Sequence, residues 1–331
     1  MKIISYRLNN ATSYGVLVNN ELYSLPENQS GLPATMNAFL ALEESGMEMA
    51  RQTAQQIEAG TLVAKPVNNY KILAPVPHPT SCRDGYAFRQ HVEAARKNRG
   101  VEMIPEFDQY PIFYFTNHQA VEGPGPVYCM PDHFEQLDFE LEIAIVIGKE
   151  GKNIKAKDAD EYIAGFTIMN DLSARKLQME EMLLNLGPAK GKDFSTVIGP
   201  WLVTPDELKS HLVPAKKGHV GNNYNLSMKC WVNDQLVSEG NVKDMDWTFA
   251  EIIERCSYGV TIYPGDVIGS GTVGTGCFLE LNGTGKLKDA NYTPQWLQPN
   301  DVVTMSIDGL GTLENTIYKE DTDWSILSLK K

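Results

Sequence analysis

The stretch Asp138-Phe-Glu140-Leu-Glu142-Ile143-Ala-Ile-Val-Ile147 alternates acidic and apolar residues and then turns wholly apolar. Strand side chains repeat with a period of two, so Asp138, Glu140 and Glu142 are expected on one face and Phe139, Leu141 and Ile143 on the other. Two readings of the acidic face stay open. It is a solvent-facing surface, or it is a cation site, because same-face neighbours lie only about 7 Å apart along a strand. Carboxylates brought to about 5 Å repel by roughly 3 kcal/mol at an effective dielectric of about 20, and a cation relieves this. The apolar run 143–147 is far shorter than the roughly 20 residues of a membrane-spanning helix.

Outward from this stretch, further strands are expected at 128–130, 164–169, 226–232, 261–268, 278–282 and 302–307, each rich in β-branched or aromatic residues between Gly, Asn and Pro turns. Two helices interrupt them, over 86–98 and 173–184. A strand-dominated mixed domain follows, not an alternating βαβ array. Residues 1–75 read as a smaller unit, with short strands at 2–6, 14–18 and 21–25 and helices over 35–44 and 47–58. Prolines crowd at Pro66, Pro75, Pro77 and Pro79 and place a boundary there.

Composition excludes several classes of function. The chain carries 29 Lys plus Arg against 42 Asp plus Glu, a net charge of −13, so nucleic acid is not expected as a partner. Cys82, Cys129, Cys230, Cys256 and Cys277 form no C-x-x-C pair, which argues against a disulfide framework and a thiolate zinc site. No signal-peptide core follows Met1, so a cytoplasmic protein without membrane attachment is expected. Gly269-Ser-Gly271-Thr-Val-Gly274 fits G-x-G-x-x-G, but a turn and strand are expected after it where a dinucleotide site needs a helix. Gly187-Pro-Ala-Lys-Gly191-Lys192-Asp193 has one residue too few for a phosphate loop and Asp in place of Ser or Thr.

Two more segments carry chemistry. In Phe166-Thr-Ile-Met-Asn170-Asp171-Leu-Ser-Ala-Arg175-Lys-Leu-Gln178 a strand ends at a capping residue, and Asp171, Arg175 and Gln178 are expected along one side of the following helix. They form a cap with an ion pair, or a group aimed at an anionic ligand. In Asp84-Gly-Tyr86-Ala-Phe88-Arg-Gln-His91-Val92, His91 shares a semi-apolar stripe with Phe88, Val92 and Ala95, a pattern of a core histidine that equally admits a catalyst.

In this order, the segments resemble the fumarylacetoacetate hydrolase family over residues 70–318. The resemblance is carried by Asp84 and His91, Glu140-Leu-Glu142, Met169-Asn-Asp171-Leu-Ser-Ala-Arg175 with Gln178, Gly191-Lys192-Asp-Phe-Ser-Thr196, Gly269-Ser-Gly271-Thr272, and Pro299-Asn-Asp301-Val with Ile307-Asp-Gly309-Leu-Gly311. It implies an α+β, β-rich fold in which a mixed β-sandwich or β-roll catalytic domain, 76–331, follows a small N-terminal α/β domain, 1–75. It implies Asp84, Glu140, Glu142 and Asp171 as ligands of one Mg²⁺ or Ca²⁺, ions that hard carboxylate oxygens suit, with no organic cofactor. Asp138 is left as a strand acid outside that set. His91 would be the general base toward water, oriented by Glu280. Arg175, Gln178 and Lys192 would donate to the substrate oxygens, with Tyr86, Tyr114, Thr196 and Thr272 lining the pocket.

The reaction the resemblance implies is hydrolysis of a carbon–carbon bond in a 1,3-diketone acid, fumarylacetoacetate giving fumarate and acetoacetate. Acylpyruvate or 2,4-diketo-acid hydrolysis and oxaloacetate decarboxylation are the alternatives, and a fold with a purely structural ion is the non-enzymatic one. A homodimer formed through the strand-rich domain is expected. Compared with animal fumarylacetoacetases, the N-terminal region is shorter, 179–185 holds no tyrosine, and only 273–279 separate Thr272 from Glu280.

Overall fold

The apolar half of the quoted stretch becomes the centre of the molecule. In the computed structural model, which describes residues 1–331, Leu141–Ile147 is a strand buried along its whole length. A strand buried on both faces needs a packed layer on each side. Ile143, Ile145 and Ile147 face one cluster with Met228, Cys230, Met305 and Leu313. Ala144 and Val146 face another with Tyr14, Phe39 and Met47.

This strand sits inside an eleven-stranded mixed sheet. Ile163–Asp171 pairs with it antiparallel, Leu141 opposite Asn170 and Glu142 opposite Met169. On its other side Val267–Gly269 is antiparallel, Ala144 opposite Gly269. Cys82–Gly85 follows in parallel with Asp84 beside Gly269, and Phe113–Thr116 forms the edge. A second sheet of five strands, ordered Gln235–Asn241, Ser227–Val232, Val302–Ile307, Gly311–Lys319 and Gly125–Cys129, packs over the first cluster. The fold is the expected sheet-rich α+β arrangement with two stacked sheets.

Residues 1–75 do not keep a sheet of their own. Lys2–Leu8 pairs with Thr196–Val203, Ile3 opposite Leu202, and Ala11–Val18 and Glu21–Ser24 extend the large sheet outward. Asn9-Asn10 and Asn19-Asn20 make the hairpin turns with positive φ, which Asn tolerates better than most residues.

Several elements differ from the sequence reading. The expected strand over 138–147 breaks after Asp138. Leu137–Asp138 pairs with Ser173–Ala174, and the Glu140 N–H donates to the Asn170 side chain instead of a ladder. Asp138 therefore lies outside the strand that carries Glu142, although Arg175 bridges its carboxylate to that of Glu140. The expected strand at 278–282 is the start of a helix, Phe278–Lys288. Gly283 and Gly285 disguise it, since glycine weakens helices by roughly 1 kcal/mol relative to alanine. Gly283 is there for packing, because a Cβ would lie 2.2 Å from Asn98 Nδ2 on the neighbouring helix Arg89–Asn98. A further helix, Phe249–Ser257, had no place in the sequence reading. The expected 261–268 strand splits into Thr261–Ile262 and Val267–Gly269 around Pro264-Gly265, with Gly265 at φ +93°. In the N-terminal unit the helices are Leu25–Asn28, Met36–Leu40 and Glu43–Glu58.

A chain starting at residue 76 should lose its cooperative unfolding transition and aggregate, because it bares the Thr196–Val203 edge and the apolar face beneath Tyr14 and Phe39. Circular dichroism melts and light scattering check this; a soluble, cooperatively melting 76–331 fragment would show two independent domains instead.

Candidate active site

Asp84, Glu142 and Asp171 sit on three strands whose registers bring their ends together, and Glu140 joins them from the break before Leu141. One carboxylate oxygen from each of the four lies within 4.8 Å of the others, and none of the residues is more than 5% exposed. Gly269 makes room for two of them, since a Cβ there would fall 2.5 Å from Asp84 Oδ1 and 2.9 Å from Glu142 Oε2. The Gly271 N–H donates to both carboxylates, at 3.0 Å and 3.2 Å.

The cations beside this cluster are shared unevenly. Arg175 donates from Nε to Asp138 at 2.8 Å, from Nη2 to Glu140 at 2.7 Å and from Nη1 to Gln178 Oε1 at 2.9 Å. Lys192 donates to Glu140 and, at 2.7 Å, to Asp171 Oδ2, which also accepts from the Tyr114 hydroxyl. Burial alone would raise Glu140, but Lys192 and Arg175 prevail and hold it well below the usual carboxylate range. Asp84 and Glu142 contact no cationic side chain. Burial and then the Asp171 charge push Asp84 up to about 7, and burial and then Asp84 push Glu142 well above its ordinary value. Burial also raises Asp171, against the pull of Lys192.

This donor set fits a hard divalent cation. Glu142 Oε1 and Asp171 Oδ1 are buried carboxylate oxygens without a hydrogen-bond partner. Orphaned acceptors of this kind are costly in a protein interior, and a cation satisfies them. Oxygen-only coordination from carboxylates suits Mg²⁺, Mn²⁺ or Ca²⁺ better than zinc or copper.

Facing the cluster is His91, on the helix Arg89–Asn98. Its Nδ1 lies 2.6 Å from Glu280 Oε2, and the other Glu280 oxygen accepts from the Thr275 N–H at 2.9 Å. Tyr86 packs edge-on against the imidazole. A cavity of about 560 Å³ brings together Asp84, Tyr86, His91, Tyr114, Glu140, Arg175, Gln178, Lys192 and Thr272. Thr196, expected in that lining, is not part of it. Its pairing opposite Asp171 in the sheet leaves it buried behind the carboxylate. Asp171 ends its strand and is separated from the helix Arg175–Met182 by a short bridge, so the expected one-sided helical row of Asp171, Arg175 and Gln178 is replaced by convergence through Lys192 and Glu140.

Sequence reasoning missed the part played by Asp138. Its carboxylate accepts from the N–H groups of Phe278 at 2.7 Å and Leu279 at 2.9 Å while holding Arg175. It thereby caps the helix that carries Glu280. The G-x-G-x-x-G segment does precede a helix, so the expected ground for rejecting it fails. The rejection stands for another reason, because the Asp138 carboxylate fills the helix N-terminus that a pyrophosphate would need.

Known proteins resemble this chain in sequence and in fold. The fumarylacetoacetate (FAA) hydrolase C-terminal family matches residues 80–318. Human "Oxaloacetate tautomerase FAHD2A, mitochondrial" is 33% identical over 295 residues, covering 86% of this chain and 80% of its own length. The "Fumarylacetoacetate hydrolase domain-containing protein 2 homolog" of Dictyostelium discoideum is 28% identical, covering 96% of this chain and 97% of its own. Maleylpyruvate hydrolase from Sphingobium sp. SYK-6, solved in complex with manganese (II) ion and pyruvate, shares the fold with a TM-score of 0.68 at 20% identity, over 97% of this chain and 100% of that one. No helix here is long and apolar enough to cross a membrane. On the family match and the extent of these similarities, the chain belongs to the fumarylacetoacetate hydrolase family.

Proposed function

We propose that this chain is a divalent-cation-dependent enzyme acting on short 2-oxo acids that carry a second carbonyl or carboxyl group at C4. Oxaloacetate and 2,4-diketo acids come ahead of fumarylacetoacetate, and the chemistry runs through the enol at C3. The observation that carries this is the meeting, across one cavity, of a buried four-carboxylate cluster and a His91–Glu280 pair. The name of the 33%-identical human relative supports oxaloacetate over the larger diketone acid that the sequence resemblance put first.

Asp84, Glu140, Glu142 and Asp171 would hold the ion, as the manganese in the maleylpyruvate hydrolase structure makes reasonable for this fold. When bound, such an ion polarises a carbonyl oxygen and offsets enolate charge. The chain's own groups do the rest. With Nδ1–H donated to Glu280, the imidazole lone pair lies on Nε2, so His91 is set to take a proton. Taken from substrate C3 and returned to the neighbouring oxygen, that proton converts keto to enol; taken from water, it starts carbon–carbon hydrolysis. Lys192 has three N–H donors and spends two on Glu140 and Asp171, leaving one for a substrate oxygen. Gln178 gives its carbonyl to Arg175, which turns its amide N–H groups outward as further donors. Tyr86, Tyr114 and Thr272 complete the wall.

Ultraviolet assays of oxaloacetate keto–enol exchange and of fumarylacetoacetate loss, each with Mg²⁺ or Mn²⁺, separate the readings. Metal-dependent acceleration of the oxaloacetate reaction, abolished by a chelator, is expected to exceed fumarylacetoacetate turnover. The opposite order would restore the diketone hydrolase, and no turnover of any oxo acid would leave a structural ion.

Glu142→Gln should weaken Mn²⁺ binding by at least about tenfold in calorimetry and remove activity, because it takes a ligand from a site whose other acids cannot move to replace it. His91→Gln should keep metal affinity and lower kcat by about 10²- to 10⁴-fold, the contribution of a positioned base. Near-parental turnover in a folded, metal-loaded His91→Gln protein would return His91 to the role of a core residue.

A further inference from the structure

The absence of a C-x-x-C pair did not leave every cysteine without chemistry. A ring nitrogen of His91, a carboxylate oxygen of Glu140 and Sγ of Cys277 lie within 4.8 Å of one another. None of the three residues is more than 6% exposed. Cys277 is one of five free cysteines, is fully buried, and its sulfur accepts from the Glu280 backbone N–H.

A second observation points the same way. Glu280 holds His91 Nδ1 at 2.6 Å and is itself anchored by the Thr275 N–H. Metal-binding imidazoles are oriented through their second nitrogen in this manner, which fixes the tautomer and makes the ligating nitrogen more basic. His91 and Glu140 both line the cavity, so a fourth coordination position would open toward it.

We propose that His91, Glu140 and Cys277 form a site for a thiophilic divalent cation, Zn²⁺ or Cd²⁺, sharing Glu140 with the oxygen-only cluster of Asp84, Glu142 and Asp171. Donor chemistry sorts the ions: nitrogen, oxygen and one sulfur with an open position suit zinc, whereas carboxylates alone suit Mg²⁺ or Mn²⁺. Binding forms a metal–sulfur bond and breaks the S–H bond; the proton leaves to solvent and nothing is oxidised. Occupancy takes the His91 lone pair and engages Glu140, so the ion inhibits. That consequence rests on the role given to His91 above, whereas the binding does not.

Cd²⁺ titrated into the whole protein should produce a cadmium–thiolate ultraviolet band saturating at one equivalent per chain. The band should vanish in Cys277→Ser and Cys277→Ala, and His91→Gln should require at least about tenfold more Cd²⁺ to reach it. X-ray absorption of the zinc-loaded wild-type protein, which needs no variant, should show one sulfur neighbour. Zn²⁺ should inhibit oxo-acid turnover, with about tenfold more needed in Cys277→Ala, measured relative to that variant's own zinc-free rate. A wild-type protein with no thiolate band, a band that survives both Cys277 variants, or an oxygen- and nitrogen-only zinc shell would each overturn the proposal. The spectroscopic results decide it even if no oxo acid is turned over.

Discussion

Too many buried acids for too few buried cations is the constraint around which this structure is arranged. Asp84, Asp138, Glu140, Glu142, Asp171 and Glu280 are all buried, and Arg175 and Lys192 are the buried basic side chains in contact with them. Arg175 serves Asp138 and Glu140, and Lys192 serves Glu140 and Asp171. Asp84 and Glu142 are left with one backbone N–H between them, from Gly271. Burial pushes both upward, and it raises Asp171 and Asp138 against the pull of their cations, while Glu140, held by both cations, goes down. A carboxylate in such surroundings is ionised at neutral pH when a further positive charge is near, and that need marks the corner where the proposed divalent ion would sit.

The same charges tie the site's two halves together. Asp138 grips Arg175 with one oxygen and caps the helix Phe278–Lys288 with both, and that helix carries Glu280 to His91. The strands that carry the carboxylate cluster and His91 on Arg89–Asn98 therefore meet through a carboxylate that is itself 0% exposed. Breaking one partner from a buried ion pair costs about 3–5 kcal/mol, because the other is left charged and unpaired. Three nitrogens of Arg175 are committed within the protein, which keeps Glu140 ionised and Gln178 turned.

Much of this was legible in the chain. Period-two alternation places Glu140 and Glu142 together, and the sequence position of Asp171 and Arg175 after an apolar strand marks a site where backbone direction changes. Three features were not legible because long-range contacts decide them. The strand break after Asp138 depends on the Asn170 side chain taking the Glu140 N–H. The helix at 278–288 is hidden by Gly283, whose missing Cβ matters only when Asn98 packs against it. Residues 1–75 carry the marks of a separate unit, yet Ile3 pairs with Leu202 and Tyr14 shares a core with Ala144 and Val267, links that no local pattern announces.

Relatives named for tautomerisation and for hydrolysis share this family or fold, and the proposed site would accommodate both reactions. On the proposed reading, keto–enol exchange and carbon–carbon hydrolysis would use the same base, the same charge-stabilising corner and the same oxygen donors, and would differ in whether His91 meets a C–H or a water. The cavity, about 560 Å³, exceeds the roughly 30 Å³ share of one water many times over, so a short oxo acid leaves room for solvent beside it. On that reading the rest of the wall, which includes Met179, Met182, Ile112 and Leu279, would fill the remaining space and decide between the two outcomes. Those residues lie outside the carboxylate and histidine machinery, where sequence can vary without disturbing the charge arrangement that holds the site together.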